Sequence, residues 1–280
     1  MKPIFFTTVF LFVSCNSTNK QKELENLQTP VASASVEQQK QILPKEVNQN
    51  NSSCKENMIL VSGNYCTDVK QECEVWIEDP SKNKFARCKK FKPSICIGEK
   101  VHMQFCIDKE EMYFEESKLP KTNISWTECK NECEYQGKRL CSPNEWTFAC
   151  EGEDSLPYPY GLERNKNYCN IDTESIDQNK ENGKKIICGK ELCDLRHKVT
   201  EDLNCISPFG VHNMTGNVDE WVISSPYNHS KIPNFTMRSV LKGGHWLPIR
   251  ARCRPETRDH DEGFKQISIG CRCCSNKIDN

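Results

Sequence analysis

The chain has 280 residues, with 38 Lys and Arg against 39 Asp and Glu and a formal net charge of −1. That balance excludes the broad basic field a nucleic-acid backbone requires, so nucleic acid is not an expected partner. Hydrophobic residues make up 36% of a chain with 19 Cys; this is a folded protein, and so many thiols point to an oxidising, extracytoplasmic compartment.

At the N-terminus, Lys2 precedes an apolar stretch from Ile4 to Val13, too short to span a bilayer as a helix. Residues 1–14 are therefore expected to be a signal peptide. The run Phe12-Val13-Ser14-Cys15 resembles a bacterial lipobox, with Cys15 as the lipidated residue and Phe12 where the pattern prefers Leu. An ordinary secretory signal that happens to contain a Cys is the alternative. Parity favours the lipid: setting Cys15 aside leaves 18 Cys, an even number that strands no thiol. The expected location is the bacterial cell envelope, with the membrane as a partner through the lipid. Asn16 after Cys15 gives a preference for the outer membrane, borrowed from enterobacterial sorting.

From Asn16 to Ser53 there is no Cys, aromatic residue or Gly, and 17 of the 38 residues are Asn, Gln or Ser. Such a segment buries too little apolar surface to offset its ordering entropy. Residues 15–53 are expected to form a flexible tether of roughly 30–35 Å, with at most a marginal helix near Glu23–Leu27.

Residues 54–280 are expected to be the folded body. Met58 to Gly63 predicts a short strand and turn, and the alternation over Val101–Asp108 predicts a half-buried strand. Ser125 is placed to cap a helix over Trp126–Gln136 that Gly137 stops. Ser142-Pro143-Asn144-Glu145 opens a second helix running to Cys150, with proline at N1 and Glu at N3. Two helices and scattered strands predict an α+β fold. Disulfide connectivity is left open, since 18 Cys allow more than about ten million pairings.

Five ordered motifs carry a resemblance. They are Ile124-Ser125-Trp126 through Gly137-Lys138-Arg139-Leu140-Cys141 to Glu145-Trp146 and Cys150; Pro157-Tyr158-Pro159-Tyr160-Gly161; Asn213-Met214-Thr215-Gly216-Asn217-Val218-Asp219-Glu220-Trp221; Lys242-Gly243-Gly244-His245-Trp246; and Gly270-Cys271-Arg272. In this order they resemble the formylglycine-generating enzyme family, also called the sulfatase-modifying factor family. The resemblance implies one domain with a variant of the C-type lectin fold and little regular structure. Trp126, Trp146, Trp221 and Trp246 are expected in its core, and Arg139 in an ion pair that holds a loop.

The resemblance also implies Ca²⁺ in the Asn-x-x-Gly-x-x-x-Glu motif, which carries over to Asn213, Gly216, Val218 and Glu220. A second family site begins at an Asn-Ile pair similar to Asn170-Ile171. Hard oxygen donors in an irregular loop suit this ion. The alternative is that Asn213 and Glu220 only satisfy backbone groups.

The family's enzymes oxidise a substrate cysteine with O₂ and copper held by two thiolates, a geometry that soft Cu(I) favours. Where those thiolates sit in a Cys-x4-Cys segment, this chain offers only Cys253, and His245 replaces the usual Ser after Gly-Gly. An oxidase would need a second thiolate such as Cys271. No catalytic residue is therefore assigned, and the expected role is a binding or assembly module for an envelope protein or peptide. Six His form no His-x-His or His-x-x-x-His pair, leaving zinc unsupported. His245, Trp246, Arg252, Arg254 and His260 are candidates for one polar pocket.

Overall fold

The computed structural model describes residues 53–173, 193–228 and 235–278. The expected leader, Cys15 and the tether up to Ser52 lie outside them, as does Cys188.

In chain order the elements are β1 (Met58–Cys66), β2 (Val69–Lys70), β3 (Cys73–Trp76), β4 (Cys88–Phe91), β5 (Ile95–Cys96) and β6 (Lys100–Asp108). Then come α1 (Trp126–Tyr135), β7 (Arg139–Leu140), α2 (Pro143–Glu151), β8 (Asp219–Asn228), β9 (Thr236–Lys242), β10 (Glu256–Thr257), β11 (Ile269–Cys271) and β12 (Cys273–Ser275). One sheet has the order β1-β6-β12-β7, a second has β10-β9-β8-β11, and two small ribbons pair β2 with β5 and β3 with β4. β1 and β6 run antiparallel from Met58 opposite Asp108 to Cys66 opposite Lys100. β11 joins β8 in parallel, so the C-terminal segment closes both sheets.

Both helices form where the caps predict. Ser125 accepts from the Glu128 amide while Glu128 reaches back to the Ser125 amide, and Ser142 and Glu145 repeat the arrangement. Arg139 forks onto Glu145 at 2.8 and 2.6 Å, which ties β7 to the start of α2. The strand expected at Met58 extends to Cys66 because β6 pairs along its whole length.

The main core gathers Val61, Phe105, Ile107, Trp146, Phe148 and Val240 between β1, β6, α2 and β9. Trp126, Trp146, Trp221 and Trp246 are all buried, as expected of them.

Disulfides lace this core. Cys129 and Cys133 share one face of α1 and bond Cys271 and Cys273, which are two residues apart and so share one face of the C-terminal strand run. Cys274 points the other way and bonds Cys141. Further bonds join Cys54 to Cys106, Cys66 to Cys96, Cys73 to Cys88, Cys150 to Cys253 and Cys169 to Cys205.

Candidate functional site

After β9 the chain turns at Gly243-Gly244. Gly244 has φ 77°, and a Cβ there would lie 2.9 Å from Ala251, so only glycine lets the returning strand pack this closely. The stretch that follows was expected to offer Cys253 without the second thiolate that copper needs, and the even cysteine count to leave no thiol unpaired. Cys253 lies behind α2, bonded to Cys150, with its amide donating to the Pro157 carbonyl at 2.9 Å. Cys271 is bonded to Cys129, so the two candidate thiolates are neither free nor paired with each other. Every cysteine among the described residues, Cys193 included, is disulfide-bonded. The mate of Cys253 was missed because it comes from a helix 103 residues earlier, with no local spacing to signal it.

The five residues expected to share one pocket separate. His245 stacks on Trp246 with ring centres 5.5 Å apart, and its Nδ1 is buried without a hydrogen-bond partner. Burial pushes the His245 imidazole down to about 4. Arg254 forks onto the buried Glu151 at 2.7 and 2.6 Å and donates to the Cys66 carbonyl. His260 stacks on Phe264 with centres 4.0 Å apart. Arg252 alone of the five lines the cavity between the β3–β4 ribbon and this stretch.

The loop expected to hold calcium is built closely. Asn213, Gly216 and Asn217 all adopt positive φ, and a Cβ on Gly216 would lie 2.3 Å from the Asn170 carbonyl oxygen. Asn170 donates to the Asn217 side chain at 3.1 Å, so the two Asn-containing motifs do meet. Their donor set does not fit the ion as arranged. Glu220 Oε2 accepts from Trp146 Nε1 at 2.6 Å and from Arg272 Nε at 2.7 Å, and Oε1 accepts from Arg272 Nη2 at 2.7 Å. The carboxylate expected to ligate Ca²⁺ is therefore already neutralised by a cation. Asn213 Nδ2 donates to the buried Glu111, whose carboxyl is pushed up to about 8 by burial and by the Glu220 charge, so near neutrality it holds its proton. Neutral carbonyl oxygens such as Asn213 Oδ1 can serve calcium, but the one carboxylate of the expected set would have to leave Arg272 to do so. Among the described residues there is no cluster of three or more His, Cys, Asp or Glu placed to hold a metal.

A cavity of about 130 Å³ opens between the β3–β4 ribbon and the stretch after Gly244. Trp76, Phe91 and Tyr158 give it aromatic walls, and Arg87, Arg164, Arg250 and Arg252 give it charge. Arg164 forks onto Asp172 at 2.7 and 2.9 Å, and Arg87 pairs with both Asp172 and Glu78. Arg250 and Arg252 have no carboxylate within ion-pair distance among the described residues; they lie over the Phe85 and Phe91 rings at 4.9 and 5.2 Å. Of these walls Arg252 was singled out in the sequence as a pocket residue and Tyr158 only as part of a family motif. Trp76 and Arg87 belong to a ribbon that the residues alone did not reveal.

This chain, a disulfide-laced α+β fold of two small sheets, falls in the sulfatase-modifying factor class. Residues 49–277 match the sulfatase-modifying factor enzyme 1-like domain, and the chain belongs to that family. It is 27% identical over 171 residues to inactive C-alpha-formylglycine-generating enzyme 2 of Bos taurus, covering 58% of this chain and 52% of that protein. It is 30% identical over 154 residues to the formylglycine-generating enzyme of Thermomonospora curvata, covering 48% and 46%. The chain spans about half the length of these curated relatives. The crystal structure of CarF matches 79% of this chain and 98% of its own, with a TM-score of 0.50 at 15% identity, which bears on the fold alone.

Proposed function

We propose that this chain is a lipid-anchored, non-catalytic member of its family that serves as a binding or assembly module in the bacterial cell envelope. The observation that carries the reading is the Cys150–Cys253 bond, which takes up the thiol that copper-dependent oxidation would need. A relative named inactive supports it. The anchor rests on Phe12-Val13-Ser14-Cys15 and on the even number of Cys that remains. Calcium is left out of the proposal because Arg272 occupies Glu220.

Thiol titration of the denatured, unreduced Cys15→Ala protein tests the catalytic half. No free thiol is expected, and two thiols per chain including Cys253 would restore the oxidase. Detergent phase partitioning tests the anchor: the wild-type chain is expected in the detergent phase and Cys15→Ala in the aqueous phase. Equal partitioning would remove the lipid.

A further inference from the structure

We propose that the arginine-lined cavity is a binding site for a small organic oxyanion, a carboxylate, sulfate or phosphate group carried on a ring or other apolar body. The proposal deepens the binding-module reading but does not depend on it, since the cavity would hold an anion whether or not free thiols exist elsewhere.

The charge count makes the case. Four guanidinium groups converge on the cavity, and among the described residues the two carboxylates paired with them, Glu78 and Asp172, are taken by Arg87 and Arg164. Arg250 and Arg252 are left in surplus. Arg252 is partly buried, and its one hydrogen bond among the described residues, to Gln71 Oε1, is long at 3.4 Å. Burial, together with the like charges of Arg250 and Arg164, disfavours its charged form. A guanidinium does not lose its proton under these conditions, so the cost stands until an anion enters. A fork of N–H donors matches a carboxylate or phosphate in two-point geometry.

The walls define the rest of the ligand. The cavity is too small for a polymer chain but takes one charged group. Beside it the β3–β4 ribbon leaves Val75, Trp76 and Ile77 exposed, with Phe85 at 52% exposure. These apolar side chains would cover the flat part of a ligand whose anion sits on Arg252. The Cys73–Cys88 bond holds the ribbon in place, so the site is formed before binding.

Trp76 is the reporter, since it is 45% exposed while the other four tryptophans are buried. Its indole N–H signal in a proton–nitrogen spectrum, assigned with Trp76→Phe, is followed while the oxidised protein is titrated with phenyl phosphate, inorganic phosphate or phenol at low salt. Phenyl phosphate is expected to shift the signal saturably in the millimolar range or below. Inorganic phosphate should bind more weakly and phenol not at all. If inorganic phosphate binds as tightly, the ligand is a free oxyanion and the organic body is wrong. Arg252→Gln is expected to weaken phenyl phosphate by about tenfold or more, near 1.4 kcal/mol. Arg250→Gln, at an exposed position where it gives up only the contact with the Phe85 ring, should weaken it several-fold. No saturable shift in the wild type, or unchanged affinity in both variants, would overturn the site.

Discussion

His245 shows how one side chain can couple this fold to pH. Its Nδ1 is buried without a partner, and burial lowers the imidazole from an ordinary 6.5 to about 4. The folded protein therefore favours the neutral ring. The stability it contributes is complete above about pH 6.5 and is lost as pH falls toward 4, a share on the order of 1–3 kcal/mol. His245→Phe keeps a ring to stack on Trp246 and removes the titration. Urea unfolding midpoints measured between pH 7 and 4 should fall less steeply in this variant than in the wild type. Part of the slope will remain, because His212 is also held near 4, by burial and then by the Lys109 charge. Parallel profiles would mean that water reaches His245 in the fold.

Among the elements, what was legible in the sequence is what local chemistry decides. α1 and α2 begin at Ser125 and Ser142 because a hydroxyl and a Glu three residues on satisfy each other's amides, and that pattern is visible in four letters. Ser142→Ala should cost about 1 kcal/mol in urea unfolding. β8 and β9 were not anticipated; they pair with each other as neighbours in the chain, but an irregularity between Ile223 and Tyr227 breaks the alternation, and the other partner of β8, β11, lies far along the sequence. The arginine cavity stayed hidden for the same reason, since Arg87, Arg164 and Arg252 meet only after the β3–β4 ribbon folds over the Gly-Gly loop. The Cys150–Cys253 bond lies inside the loop already closed by Cys141–Cys274, so the extra loop it closes is about thirty residues rather than the full separation. Replacing both Cys150 and Cys253 with Ala should therefore cost roughly 3–4 kcal/mol, measured by urea unfolding. A loss below about 1 kcal/mol would show that packing alone holds α2 against this segment.

At the scale of the molecule, Arg272 closes the fold. It stands between β11, in one sheet, and β12, in the other, with its side chain fully buried. The guanidinium holds Glu220 at the start of β8 and donates to the carbonyls of Asp108, Lys109 and His212. A buried carboxylate is thus compensated from within the chain, in the place that a bound metal ion would otherwise take. The consequence is measurable. An ion bound to the folded state at a hundred times its dissociation constant would add about 2.7 kcal/mol, which for a domain of this size raises the melting temperature by roughly 5–11 °C. Melting curves in excess chelator and in millimolar Ca²⁺ should instead coincide within about 2 °C, a gap well below that expected of an occupied site. A rise of the larger size with calcium, abolished in Asn213→Ala, would show that Glu220 leaves Arg272 to ligate the ion, and the closing role would pass from the arginine to the metal.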